Sequence, residues 1–163
     1  MTVALRDVDD SHDWQIFKGW LNQPHVLTTW GEPEAIIAEL QRHPRQDMRV
    51  ITLGERPIGL VCWQVPTGQE LMDAGLADLP QGLVDVDIML GQVDVLGLGY
   101  GTSGLRLVAD QLKAQGVPWI GLATQKTNQG AIRSFMKVGC SAYREFIEDG
   151  TDYIYFTRSL NSH

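Results

Sequence analysis

The 163-residue sequence predicts an α/β fold, a mixed sheet with helices on both faces, in a single domain covering 1–163. Three observations predict it. Leu83 to Leu90 alternates Val84, Val86 and Ile88 with Asp85, Asp87 and Met89, the period-two signature of a strand. A glycine loop, Leu96-Gly97-Leu98-Gly99-Tyr100-Gly101-Thr102, follows and opens a segment with helical spacing. Short apolar runs and 3.6-period segments are interleaved along the rest of the chain.

The elements follow in order. Thr2 to Leu5 reads as the edge of a first strand. Ser11 is a candidate cap for a helix to about Leu21, with Trp14, Phe17, Trp20 and Leu21 at helical spacing and Pro24 closing it. Pro33 starts a second helix, with Ile36, Ile37 and Leu40 on one face, ending near Pro44. Met48 to Leu53 and Ile58 to Val65 form a hairpin about Gly54-Glu55-Arg56-Pro57. Pro66 to Gly82 is a long loop with a short helix expected within Gln69 to Leu79. After the strand at Leu83 to Leu90, Tyr100 to Gln115 reads as a helix that buries Leu105, Val108, Ala109 and Leu112 and stops at Gly116. Trp119 to Ala123 is a strand. Asn128 opens another helix, and Gly139 lies past its end. Tyr143 to Ile147 and Tyr153 to Thr157 close the chain as a hairpin around Glu148-Asp149-Gly150-Thr151.

Composition narrows the function. A net charge of −7 argues against nucleic acid and anionic membrane and favours cationic small molecules. No apolar run spans a bilayer, and the acidic N-terminus is no secretory signal, so a cytoplasmic location is expected. Cys62 and Cys140 lack a CxxC spacing. His12, His25, His43 and His163 are scattered, so no metal is expected.

Charge is distributed unevenly. Between Arg56 and Arg106 there is no Lys, Arg or His, but there are Glu70, Asp73, Asp78, Asp85, Asp87 and Asp94. Beside them, Gly97, Gly99 and Gly101 bare backbone N–H groups at a helix N-terminus, where the helix dipole adds positive charge. The letters Gly99-x-Gly101-x-x-Gly104 fit a dinucleotide fingerprint but follow the wrong strand, and no Gly-Lys-Ser/Thr occurs. An anionic cofactor next to a cationic acceptor is one reading; a glycine-rich turn beside a solvated strand face is the other.

The loop, together with Asn128-Gln129-Gly130-Ala131-Ile132-Arg133-Ser134-Phe135-Met136-Lys137-Val138-Gly139, resembles the GNAT superfamily of N-acetyltransferases. Further segments resemble its aminoglycoside 6′-N-acetyltransferases: Trp20-Leu21-Asn22-Gln23-Pro24-His25-Val26, Trp30-Gly31, Gly54-Glu55-Arg56-Pro57-Ile58-Gly59, Val86-Asp87-Ile88-Met89-Leu90 and Asp149-Gly150. The resemblance implies a GNAT fold: a central, mostly antiparallel sheet with a splayed parallel strand pair. It implies acetyl-CoA as cofactor, held by Ile88, Met89, Leu90, Gly97, Leu98, Gly99, Tyr100, Gly101, Thr102 and Asn128. It makes Asp87 the general base and places Trp30, Asp73, Asp85, Asp87 and Asp149 at the substrate, a cationic amine whose best match is the 6′-amine of an aminoglycoside antibiotic. The protein would be a resistance enzyme, as monomer or homodimer. Leu96 stands where the loop motif has Gln or Arg, Phe135 where the family has a tyrosine acid, and Ala123 where many aminoglycoside enzymes have aspartate. Ala123 and Phe135 keep other acceptors open (a polyamine, a siderophore precursor, a protein N-terminus), and Phe135 and Leu96 a silent acyl-CoA-binding module; a nucleotide-binding regulatory domain is a third reading.

Overall fold

Strand β1 (Val3–Arg6) opens the computed structural model, which describes residues 2–161; His163 lies outside them. Helix α1 (Asp13–Leu21) begins at an uncapped His12 rather than at Ser11. Its first residue, Asp13, is buried and accepts both prongs of the Arg6 guanidinium at 2.7 and 2.9 Å, plus the Asp9 N–H at 2.7 Å. Pro24 does not end the helical region. It is the first residue of a further helix, α2 (Pro24–Trp30), where a missing N–H costs nothing because that position has no intrahelical acceptor. Trp30 therefore ends a helix instead of lying in a loop, and Gly31 (φ 99°) terminates it. Helix α3 (Pro33–Arg42) is capped by the Glu32 carboxylate, which accepts from the N–H groups of Glu34 and Ala35.

Strands β2 (Met48–Leu53) and β3 (Arg56–Gln64) form the first hairpin. Helix α4 (Gly68–Asp73) carries a capping box between Thr67 and Glu70 and is shorter than the sequence pattern implies. Strand β4 (Leu83–Leu90) has the expected bounds. It is followed by α5 (Tyr100–Ala114), β5 (Trp119–Gln125), α6 (Gln129–Lys137), β6 (Ser141–Glu148) and β7 (Thr151–Ser159). The sheet order is β1-β2-β3-β4-β5-β7-β6. β4 and β5 are parallel; β1–β2, β2–β3, β5–β7 and β6–β7 are antiparallel. This is the mixed, mostly antiparallel sheet the sequence predicts.

Contacts divide the chain into two units. One runs through Cys62 and takes up Ile88–Gly104; the other holds Trp63–Asp87 and the chain from Leu105 onward. In the first, Phe17, Trp20, Leu21, Val26, Ile37 and Leu40 pack onto Met48, Val50, Leu60 and Cys62. Burying a side chain such as Phe17 contributes about 1.5–3 kcal/mol. Ile51, on the opposite sheet face from Val50, meets Gly104, where a Cβ would lie 3.1 Å from the Ile51 Cδ1. Both faces of this part of the sheet are thus covered. In the second unit Leu76, Leu83 and Tyr155 form a core with Leu71, Leu79, Trp119, Tyr143 and Phe146 around it.

Candidate active site

The glycine loop belongs to the first unit. Before it, the end of β4 is anchored on two sides: the His25 Nε2–H donates to the Leu90 carbonyl at 2.8 Å, and the Gly91 N–H donates to the Ile58 carbonyl at 2.9 Å. A carbonyl only accepts, so this contact fixes the proton on Nε2. The Arg56 guanidinium grips Asp94 at 2.9 and 2.8 Å and ties down the turn at Val93–Val95. Gly97 and Gly99 then take φ of 74° and 87°, left-handed values that penalise any residue with a Cβ. A Cβ at either position would meet nothing within 4 Å, so conformation rather than crowding demands glycine and the loop surface stays open. Gly101 already lies inside α5. The first N–H groups of this 15-residue helix have no acceptor within it and favour an anion. Ser103 Oγ donates to the Gly99 carbonyl at 3.2 Å, and Thr102 is buried. A diphosphate fits this open, amide-rich surface. Met89 packs into the core, so only backbone remains for a cofactor role there.

The second unit holds the carboxylate pair. Asp85 and Asp87 share one face of β4, and both are partly buried. The Gln64 amide Nε2 donates to Asp85 Oδ2 at 2.8 Å and to Asp87 Oδ2 at 3.1 Å. The Tyr155 hydroxyl donates to Asp85 Oδ1 at 2.7 Å. Burial first, and the Asp87 charge second, push the Asp85 carboxyl up to about 8. Burial and the neighbouring Asp85 raise the Tyr155 phenol as well, so it stays a donor. The parallel ladder with β5 pairs only Leu83–Asp85 with Trp119–Gly121, so β4 parts from β5 before it reaches Asp87. That is the splayed pair the resemblance implies.

The rest of the acidic run disperses. Asp94 is held by Arg56. Asp78 takes both prongs of Arg144 at 2.7 and 2.8 Å. Glu70 caps α4, and Asp73 accepts from Gln69 at 2.8 Å. The segment about α4 borders a cavity of about 150 Å³ lined by Val65, Pro66, Leu71, Leu79, Pro80, Gln81, Gly82 and Leu83. Asp149 sits at the tip of the β6–β7 hairpin, where φ of 49° at Asp149 and 76° at Gly150 make a type I′ turn. Asn128 caps α6, its Oδ1 accepting from the Ala131 N–H at 3.1 Å. Lys126 pairs with Glu145 at 2.8 Å, and Arg106 donates to the Lys137 carbonyl at 3.1 Å, so each side chain has a contact within its own unit. Gln64 and Tyr155 are the site residues that sequence reasoning misses. Neither carries a local signal, and they lie 21 and 70 positions from Asp85.

A family model described as "Acetyltransferase (GNAT) domain" matches residues 9–147. The chain belongs to the GNAT acetyltransferases. Acetyl-CoA is accordingly its acyl donor. No curated protein matches the sequence. Among solved structures, the chain resembles AAC(6′)-Ib in complex with paromomycin and acetyl-CoA, at 22% identity and TM-score 0.79, over 98% of this chain and 94% of that one. It also resembles AAC(6′)-Ib with coenzyme A and kanamycin, at 23% identity and TM-score 0.79, over 97% and 95%. An aminoglycoside N(6′)acetyltransferase from Legionella pneumophila matches at 15% identity and TM-score 0.73, over 97% and 92%. At these identities the likeness establishes the fold.

Within this GNAT domain the departures acquire places. Phe135 is buried edge-on against Phe156, with ring centroids 5.6 Å apart, so position 135 is filled as core. Tyr143 gives its hydroxyl to the Asp78 carbonyl at 3.1 Å. Ala123 is exposed on β5 and pairs with Tyr155.

Proposed function

We propose that this GNAT acetyltransferase transfers acetyl to a primary amine of a cationic small molecule, and that the acceptor is the 6′-amine of an aminoglycoside. The observation that carries the reading is Asp87: a partly buried carboxylate on a strand that has just parted from its parallel neighbour and that continues in sequence to the open glycine loop. Asp87 attracts the acceptor ammonium and takes one proton from it, directly or through water, freeing the nitrogen lone pair. Acetyl-CoA, when bound, supplies an activated acyl carbon and a thiolate that leaves as the C–N bond forms. A backbone N–H within Ile88 to Leu90 stabilises the carbonyl oxygen as it gains charge. The loop amides from Gly97 to Thr102 would hold the diphosphate, and Asn128 would contact the pantetheine arm. The second amine proton goes to the departing sulfur, so one proton is released overall. A free thiol pKa of roughly 8.5 makes the sulfur a competent leaving group without a dedicated acid, which accounts for a phenylalanine at 135. Trp30, Asp73 and Asp149 contact the sugar rings, and the reaction would inactivate the antibiotic.

A second reading, another amine as acceptor, is favoured by the exposed Ala123 where aminoglycoside enzymes carry aspartate. The test is thiol release from acetyl-CoA with kanamycin, spermidine and a peptide N-terminus as acceptors, followed by NMR location of the acetyl group. Release with kanamycin and acetylation at the 6′ nitrogen support the first reading. Release with spermidine or the peptide alone moves the assignment to the second. Coenzyme A binding without release for any amine identifies a silent binding module.

A further inference from the structure

We propose that Asp85 and Tyr155 are positioning residues that act through Gln64 to fix the orientation and the charge of the Asp87 carboxylate. The inference rests on the reading of Asp87 as base. A side-chain amide nitrogen has two hydrogens, and Gln64 gives one to each carboxylate, at 2.8 and 3.1 Å. Asp87 therefore cannot rotate without breaking the bridge. Asp85 has both oxygens engaged, one by Gln64 and one by the Tyr155 hydroxyl at 2.7 Å, so its role is to hold the amide.

The strand register shows how the arrangement is built. Gly121 pairs with Asp85 on one side, and Tyr155 pairs with Ala123. To reach Asp85, the Tyr155 side chain leans back across Gly121, where a Cβ would run into the phenol oxygen and lie 2.6 Å from Cε1 and Cζ. Only glycine at 121 leaves this path clear.

The titratable groups facing Asp85 are Asp87 on its own strand, Tyr155 on β7 and Glu70 on α4, and all three are acids. Burial and these neighbours keep the proton on Asp85 through neutral pH, so the bridged pair carries one negative charge. Gln64 donates to both carboxylates, and at the shorter distance to Asp85, so it is the burial of Asp85 that leaves the charge to Asp87.

The experiment pairs ¹³C carboxyl NMR titration of the free protein with the pH profile of kcat/KM for kanamycin, for the wild type and for Asp85→Asn, Tyr155→Phe and Gln64→Leu. In the wild type, two linked titration steps are expected. Asp85→Asn removes the upper step and keeps the lower. Tyr155→Phe raises the upper step by roughly one pH unit, because a donor to the ionised form is lost. Gln64→Leu raises the Asp87 step and the acidic limb of kcat/KM by roughly one unit and lowers kcat by about tenfold, with KM within twofold. The proposal is overturned if the upper step survives Asp85→Asn, if Gln64→Leu leaves the Asp87 step in place, or if the variants raise KM alone. Should the wild type acetylate no amine, the functional reading falls, and the NMR titration still decides whether the bridge exists.

Discussion

Gly121→Ala is the substitution whose consequence the structure defines most sharply. Gly121 lies in β5 without a positive φ, so its backbone accepts alanine. By propensity alone the change would stabilise a strand by about 0.5–1 kcal/mol. The added methyl, however, points into the Tyr155 ring, with Cε1 and Cζ at 2.6 Å, and Tyr155 is 4% exposed and has nowhere to retreat. Overpacking of this kind costs about 1–3 kcal/mol. Pushing the phenol off Asp85 leaves buried polar atoms without partners, about 1–3 kcal/mol more. The losses outweigh the gain, and a net destabilisation of about 3 kcal/mol is expected. Urea unfolding at pH 7 reads it, and a cycle with Tyr155→Leu isolates the cause, since leucine keeps most of the buried apolar volume and removes the obstructing atoms. In that background Gly121→Ala is expected to be neutral or slightly stabilising. A wild-type-like stability for the single variant, or an equal loss in both backgrounds, would refute the argument.

Other outcomes follow from the same geometry. The folded state holds the Asp85 proton to about pH 8, whereas an unfolded chain releases it near 4. Stability from this group is complete below pH 4 and is lost as pH rises toward 8. Asp85→Asn should flatten the fall in urea midpoint across that window. Gly99→Ala, at φ 87°, should cost about 1–2 kcal/mol of backbone strain and weaken coenzyme A binding in calorimetry, with no steric clash to complicate it. Gly150→Ala, at φ 76° in the β6–β7 turn, should destabilise by a similar amount, whereas Asp149→Asn should leave the thermal midpoint nearly unchanged because asparagine accepts the left-handed region well.

Strand β4 is legible because apolar and acidic residues alternate from Val84 to Asp87, a pattern that burial follows and that sets Asp85 and Asp87 on one face. The left-handed glycine loop was legible for the same local reason: glycine spacing next to a helical period. Helix α2 was not, because a proline reads equally well as a stop or as a first helical residue, and only packing of Val26 into the core decides between them. The acidic run was legible only in part. Asp78 and Asp94 are neutralised by Arg144 and Arg56, which lie 66 and 38 positions away, and a charge count along the chain sees no such partners. Gln64 and Tyr155 became site residues only through strand pairing, and no sequence period announces that a glutamine on one strand will bridge two aspartates on another.

The most direct test of the catalytic account is Asp87→Asn, with coenzyme A affinity measured by calorimetry beside turnover at pH 7. The account expects kcat/KM to fall by about 10²–10⁴, the range for loss of a general base, with the dissociation constant unchanged within twofold. Undiminished turnover in that variant would contradict it.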